Sequence, residues 1–263
     1  MTNETRAASA SRRKYIRLTL VEVIALVVVV SALTVTVYRE RLRPHFFFSE
    51  GPLAELVPLQ KGGSRSSMGV EEWIVRDYFQ DRRNGVFLDV GANHYQDRNN
   101  TYFLETGLGW SGIAVDALEE FAADYKLHRP RTRYVAMFAS DVADSRVQFF
   151  VPDNNLIASG SKEFTSRYGA PGQPREVPTT TLTSVLDQAG ISNIDYLSMD
   201  IELAEPKALA GFDIDRYKPE LVCIEAHPEV RQQILEYFAR HEYVLVGKYL
   251  RVDPHNLHFE PLR

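Results

Sequence analysis

The stretch that most constrains the fold is Val86-Phe87-Leu88-Asp89-Val90-Gly91-Ala92-Asn93. A short apolar, β-branched run leads into an acid, a glycine and a polar turn. A parallel strand buried on both faces reads as such a run, and open α/β sheets bind ligands outside the carboxyl ends of their strands. Gly91 lacks a Cβ, so backbone can approach closely there or take a dihedral that other residues avoid. An ordinary strand followed by a turn has the same local pattern, and the rest of the chain decides between the two.

Downstream the pattern recurs. Gly112-Ile113-Ala114-Val115-Asp116 and Tyr196-Leu197-Ser198-Met199-Asp200 read as strands that again end in an acid. Helices are predicted over 70–79, 118–128 (stopped by Pro130), 181–188 (stopped by Gly190) and 228–240, with a short one closing at 207–211. Further strands are predicted over 133–138, 146–151, 221–225, 243–246 and 257–259, and the Gly-, Ser- and Pro-rich residues 157–178 read as a loop or lid. Strands alternating with helices predict an α/β fold with a doubly wound, mostly parallel sheet. The 263 residues suffice for one such domain plus an extension, and the net charge of -5 gives no footprint for nucleic acid. Cys223 is the one cysteine, which excludes intramolecular disulfides and any zinc site built on several cysteines. Within Leu221-Val222-Cys223-Ile224 it reads as a small core residue.

Residues 1–17 are polar and basic, and 18–38 form an apolar segment interrupted near its start by Glu22. With Arg17 snorkelling and Tyr15 and Tyr38 at the interfaces, the segment has the length of a single membrane-spanning anchor. A signal peptide lacks its small-x-small cleavage site here, and a buried core helix is the remaining alternative. Residues 39–66, with Pro44, Pro52, Pro58 and Gly62-Gly63-Ser64, read as a linker, and 67–263 as the globular domain. The basic residues before the segment outnumber those after it, which leans towards a cytoplasmic N-terminus with the domain outside.

The three strand-end acids suit a nucleoside crevice. A close-approach glycine at the first strand end is followed, 27 residues after Asp89, by Asp116, where an acid is expected to take ribose hydroxyls. A dinucleotide requires further glycines to cradle its pyrophosphate, whereas Gly91 is followed by Ala92-Asn93-His94-Tyr95-Gln96. S-adenosylmethionine (SAM) carries no pyrophosphate, and its ammonium, carboxylate and sulfonium suit an acid before the glycine and polar groups after it.

At this point the chain resembles the FkbM-type methyltransferases. Phe87-Leu88-Asp89-Val90-Gly91-Ala92-Asn93 is similar to the family's first SAM motif, and Asn100-Thr101-Tyr102-Phe103-Leu104-Glu105 to the helix that follows it. Gly109-Trp110-Ser111-Gly112-Ile113-Ala114-Val115-Asp116 resembles its second strand, and Asp200-Ile201-Glu202 with Ala204-Glu205 its D-x-E-G-x-E motif. The resemblance spans roughly 87–259 and implies a Rossmann-like fold and SAM-dependent methyl transfer, most often to oxygen. Two motifs depart from the pattern: Asp116-Ala117 replaces Glu-Pro, and Leu203 stands where the family has glycine. If that position needs a positive φ, leucine is strained there or blocks substrate.

The resemblance implies cofactor binding by Asp89, Gly91, Asn93, Asn100, Thr101, Asp116 and Asp141, with Asp116 on the ribose and Asp141 at the adenine amino group. Helix capping by Asn100 and a turn role for Asp141 are the competing readings. Asn99-Asn100-Thr101 is also a glycosylation sequon, but it falls inside the expected site. Asp200, Glu202 and His227 are the candidates for a general base acting on an alcohol. Asp200, Glu202 and Glu205 could instead hold a divalent cation, although adjacent acids are commonly solvated, and no metal ligand is assigned. The expected acceptor is a small molecule or a glycan or lipid. Cytosolic SAM supply then places the catalytic domain on the cytoplasmic side, against the charge lean. A non-catalytic binding module on the same fold is the alternative that Leu203 leaves open, with a nucleotide-dependent oxidoreductase behind it.

Overall fold

The computed structural model describes residues 23–33, 65–253 and 255–262. The chain divides into two units, 1–43 and 44–263. In the first, residues 23–33 form a helix that carries no charged side chain and exposes Ile24, Val27, Val28 and Leu33. No described helix is long and apolar enough to cross a membrane. The ends of the anchor expected over 18–38 lie outside the described residues, as does the 39–66 linker except Arg65 and Ser66.

In the second unit, α1 (Glu71–Phe79) precedes β1 (Val86–Val90), α2 (Tyr102–Leu108), β2 (Ser111–Asp116), α3 (Ala122–His128) and β3 (Thr132–Ala136). Then come β4 (Phe138–Ala139), β5 (Arg146–Val151), α4 (Lys162–Thr165) and β6 (Gln173–Thr180). The chain continues through α5 (Leu182–Ala189), β7 (Tyr196–Met199), α6 (Glu205–Ala210), α7 (Ile214–Tyr217) and β8 (Leu221–Glu225). It ends with α8 (Arg231–Arg240), β9 (Tyr243–Leu245) and β10 (Asn256–Pro261). The main sheet has the order β3-β2-β1-β7-β8-β10-β9. Neighbours from β3 to β8 pair in parallel, and β10 runs antiparallel to both β8 and β9. This is the doubly wound, mostly parallel sheet that the alternation predicts.

Both faces of the sheet are apolar, as the continuous strand runs require. Leu88, Val115, Leu197 and Ile224 pack with α5 and α8 residues such as Leu186 and Phe238, while Phe87, Tyr196 and Leu221 pack with Ile74, Leu104 and Trp110. Thr181 accepts from Ser184 N and Gly190 closes α5 in the left-handed conformation, so the capping residues end that helix as expected.

One segment departs from its expected form. The C-terminal part of 157–178 is not loop: β6 pairs antiparallel with β5 and forms a small sheet of order β4-β6-β5. Pro174 and Pro178 disguise this strand. Thr179 N donates to Ser145 O at 2.9 Å, so the odd-numbered N–H groups face β5. The prolines occupy even positions, whose missing donors would face the β4 side, and β4 pairs only with Thr179 and Thr180.

Candidate active site

The chain steps one way from β1 to β2 and the other way to β7, so a crevice opens between the β1 and β7 ends. Gly91 sits at that switch point with φ +84°, and a Cβ there would lie 1.8 Å from the carbonyl oxygen of Asp200. Both properties anticipated for this glycine are present. A cavity of about 920 Å³ lies above, lined by Asp89, Gly91, Asn100, Asp200, Glu225 and Asn256 among others. A narrower slot beside it is lined by Val115, Asp116, Phe138 and Leu156.

Asp116 accepts from Asn93 N and from Leu118 N, each at 2.9 Å, one on each carboxylate oxygen. A carboxylate offers about four acceptor positions, so two remain for a diol. Burial pushes this acid up to about 6 against those backbone donors, with Glu120 adding to the rise. Asp89, buried, accepts from Thr101 Oγ1 at 2.8 Å. Burial raises it to about 6 as well; Thr101 and Arg129 oppose the shift, and Asp116 and Asp200 add to it.

A buried network holds the loop between β1 and α2. Asn99 Nδ2 donates to Ala92 O (3.0 Å) and Tyr125 OH (2.9 Å), which seals the sequon asparagine inside the domain. Arg129, fully buried, pairs with Glu105 at 2.7 Å and donates to Tyr95 O, Asn99 Oδ1 and Thr101 O. Sequence reasoning missed Arg129 because its partners lie 24 to 34 residues away. Thr101 is fully buried and serves the loop rather than facing the cavity. Asn100 does face it, with Nδ2 donating to Ser198 Oγ at 3.0 Å, and is not the cap of α2, where Thr101 stands without a capping side chain. Asp141 is exposed, its carboxylate accepts from Ser140 Oγ at 3.0 Å, and it lines neither cavity. The structure thus places its carboxylate outside both cavities, although β4 itself lines the slot through Phe138 and Ala139.

At the other side of the crevice the ends of β7 and β8 bring Asp200, Glu202, Glu225 and His227 together. His227 Nε2 lies 3.2 Å from Glu202 Oε2 and 3.0 Å from Glu225 Oε2. Burial, with Asp200 beside both, pushes the Glu202 and Glu225 carboxyls up, and burial pushes His227 down. Burial thus favours the uncharged form of all three groups. Glu225 was missed, although it ends β8 as Asp116 ends β2. A nitrogen and two carboxylate oxygens within 4.8 Å are also a donor set of the kind a divalent cation uses. Glu205, the third acid of the alternative cation set, is fully buried with Oε1 accepting from Ile201 N at 3.1 Å.

Residues 152–172 form a wall over this end. Ser159 Oγ donates to Glu202 O at 2.7 Å, Phe164 meets the His227 ring edge-on at 5.1 Å, and Arg167 pairs with Glu229 at 2.6 Å. Leu203 has φ +77°, directly after Glu202 at +55°. The position does demand the left-handed conformation, at a cost of about 1–2 kcal/mol for leucine. Leu203→Gly is therefore expected to be more stable than Leu203→Ala by about 1 kcal/mol, the opposite of the usual order. Denaturant melts of the two variants test this, and an alanine variant as stable as the glycine one would show that no strain is stored there.

A glycine at the switch point, an acid on the neighbouring strand and a polar loop without a pyrophosphate cradle define a Rossmann-like domain that binds a nucleoside cofactor. The chain belongs to the FkbM methyltransferase family: the model of the methyltransferase FkbM domain matches residues 89–245. It is a SAM-dependent methyltransferase domain. Similar solved structures include a TehB-like SAM-dependent methyltransferase from Corynebacterium glutamicum, at 14% identity over 78% of this chain and 92% of that one, TM-score 0.42. Another is 1,6-didemethyltoxoflavin-N1-methyltransferase from Burkholderia thailandensis with bound 1,6-didemethyltoxoflavin and S-adenosylhomocysteine, at 13% identity over 94% of both chains, TM-score 0.39. A third is an O-methyltransferase from Bacillus cereus in complex with SAH, at 10% identity over 87% and 96%, TM-score 0.37. The fold assignment rests on the strand order, not on these distant likenesses. No curated protein matches the chain.

Proposed function

We propose that the domain methylates a hydroxyl group of a saccharide, lipid-linked or secondary-metabolite acceptor. The observation that carries this reading is the pair of carboxyls Glu202 and Glu225, which line the crevice beside Asp200, with the His227 imidazole 3.2 and 3.0 Å from them behind that lining. When bound, SAM supplies an electrophilic methyl group on a sulfonium. Asp116, with two acceptor positions left, fits the ribose hydroxyls, and Asp89, Asn93 and Asn100 fit the amino-acid portion. In-line displacement is chiefly a matter of positioning. Asp200 orients the acceptor hydroxyl, and the His227–Glu202 pair takes up its proton as the oxygen attacks.

Titration calorimetry with SAM and S-adenosylhomocysteine tests cofactor binding, and no binding at millimolar ligand would leave the non-catalytic module as the better reading. Affinity is expected to fall as pH drops through about 6, because the ionised forms of Asp89 and Asp116 bind best. Each group contributes about a tenfold loss between pH 7 and 5. The ligand-free domain is expected to follow the opposite trend. Raised carboxyl pKa values mean that the folded state binds more protons than the unfolded chain between about 4 and 6, so these acids reduce its stability as pH rises through that window. A flat affinity profile would remove both acids from the cofactor site.

His227→Gln and Asp200→Asn are each expected to lower turnover by about 10²-fold with SAM still bound. Unchanged turnover of both at saturating SAM would rule out the base assignment. Transfer of labelled methyl into lipid, glycan and small-molecule extracts identifies the acceptor. The uncharged, exposed helix over 23–33 supports an anchor over 18–38, since a helix apolar on every side belongs in a core or a bilayer. With it, a single-pass protein with a cytoplasmic catalytic domain is the reading that SAM supply favours. A C-terminal reporter fusion decides the side.

A further inference from the structure

On the sheet face covered by α1, three side chains of metal-ligating type converge where the expected chemistry uses none of them. Cys223 on β8 and His258 on β10 are register partners of an antiparallel pair, so both side chains leave the sheet on one face. Asp253 reaches them from the turn before β10. Their sulfur, ring nitrogen and carboxylate oxygen all lie within 4.8 Å of one another, and the residues are only 3%, 2% and 4% exposed.

The imidazole is the telling group. His258 Nε2 is buried without a hydrogen-bond partner, and Asp253 Oδ2 stands 3.7 Å away. That is too long for a hydrogen bond, and an orphaned buried nitrogen calls for a ligand or a reason. It is close to the separation of two donors on one tetrahedral zinc ion. Bonds of about 2.0–2.1 Å from nitrogen and oxygen put those atoms roughly 3.3–3.4 Å apart.

Asp253 is aimed at this point by its own turn. Its Oδ1 accepts from Asn256 N at 3.1 Å and His255 N at 3.3 Å, and Asn256 Nδ2 donates to Oδ2 at 3.0 Å. Asn256 Nδ2 also lies 3.2 Å from Glu71 Oε1, which ties α1 into the same group. Such outer partners orient metal ligands.

We propose that Cys223, Asp253 and His258 bind one zinc-type divalent ion that clamps Asp253 and the start of β10 onto β8. Thiolate and imidazole select such an ion over magnesium or calcium. One thiolate and one carboxylate balance its two charges, and the fourth position is left for water. The site needs a single cysteine, which is why cysteine counting does not find it.

The test uses the full chain stripped with a chelator and titrated with Co²⁺, then Zn²⁺. One Co²⁺ per chain, a thiolate-to-cobalt charge-transfer band and displacement by Zn²⁺ are expected. Cys223→Ser and His258→Gln should each weaken uptake by at least about 100-fold, the upper end of what loss of an outer partner costs. Binding without the sulfur band would place the ion at Glu202, Glu225 and His227 instead and overturn the proposal. Absence of stoichiometric uptake, or uptake unchanged in both variants, would do the same. Should the variants fail to fold, wild-type protein decides. Zn²⁺ should raise its unfolding temperature by several degrees and protect Cys223 from alkylation, and no effect on either excludes the site.

Discussion

Gly91→Ala is expected to destabilise the domain by about 2–5 kcal/mol and to abolish measurable SAM binding. Two costs combine at this position. An alanine at φ +84° pays about 1–2 kcal/mol in the left-handed region. Its Cβ would also overlap the Asp200 carbonyl at 1.8 Å, and both atoms belong to backbone held in the sheet. Asp200 N already donates to Val90 O, and Gly91 N to Val115 O, so neither strand end can retreat without breaking its ladder. Overpacking of that kind costs about 1–3 kcal/mol or more. Gly190→Ala separates the two terms. Its φ is +68° with nothing within 4 Å of the added Cβ, so it should lose only the first. Thermal melts with and without SAM measure both variants, and a Gly91→Ala protein that behaves like Gly190→Ala would show that the β1 and β7 ends yield freely.

The strand-end acids were legible because their signal is local. An apolar run ending in an acid is visible within five or six residues, and the doubly wound sheet then sets Asp89, Asp116 and Asp200 along one edge. Leu203 was legible for a similar reason, since a missing glycine is a local departure and its φ of +77° confirms the demand. What stayed hidden depends on distant contacts. Glu225 ends a strand just as Asp116 does, but its importance comes from sitting 3.0 Å from His227 across a turn, beside a carboxylate from another strand. Strand β6 was obscured by prolines that are harmless only because of which edge its N–H groups face. The insertion of β10 between β8 and β9 is set by pairing between strands distant in sequence, which no local pattern encodes.

Arg129 is the extreme case of a residue invisible in sequence, and its loss should cost the most per side chain after Gly91. Arg129→Met is expected to destabilise the domain by about 3–5 kcal/mol, because it leaves the buried Glu105 carboxylate without its partner at 2.7 Å. With total stabilities typically 5–15 kcal/mol, the single variant becomes marginal. The double variant Glu105→Leu with Arg129→Met removes the charge together with its partner, and should recover most of the stability, since a buried ion pair is often no better than apolar packing. SAM affinity should not recover with it. Arg129 also donates to Tyr95 O, Asn99 Oδ1 and Thr101 O, and Thr101 in turn donates to Asp89, so the loop at the cofactor crevice is held by donors that neither methionine nor leucine supplies. Denaturant melts and SAM titrations of both variants separate the two roles. A double variant that regains stability and affinity together would reduce Arg129 to a packing residue, whereas stability without affinity makes the buried arginine the part of the core that shapes the crevice.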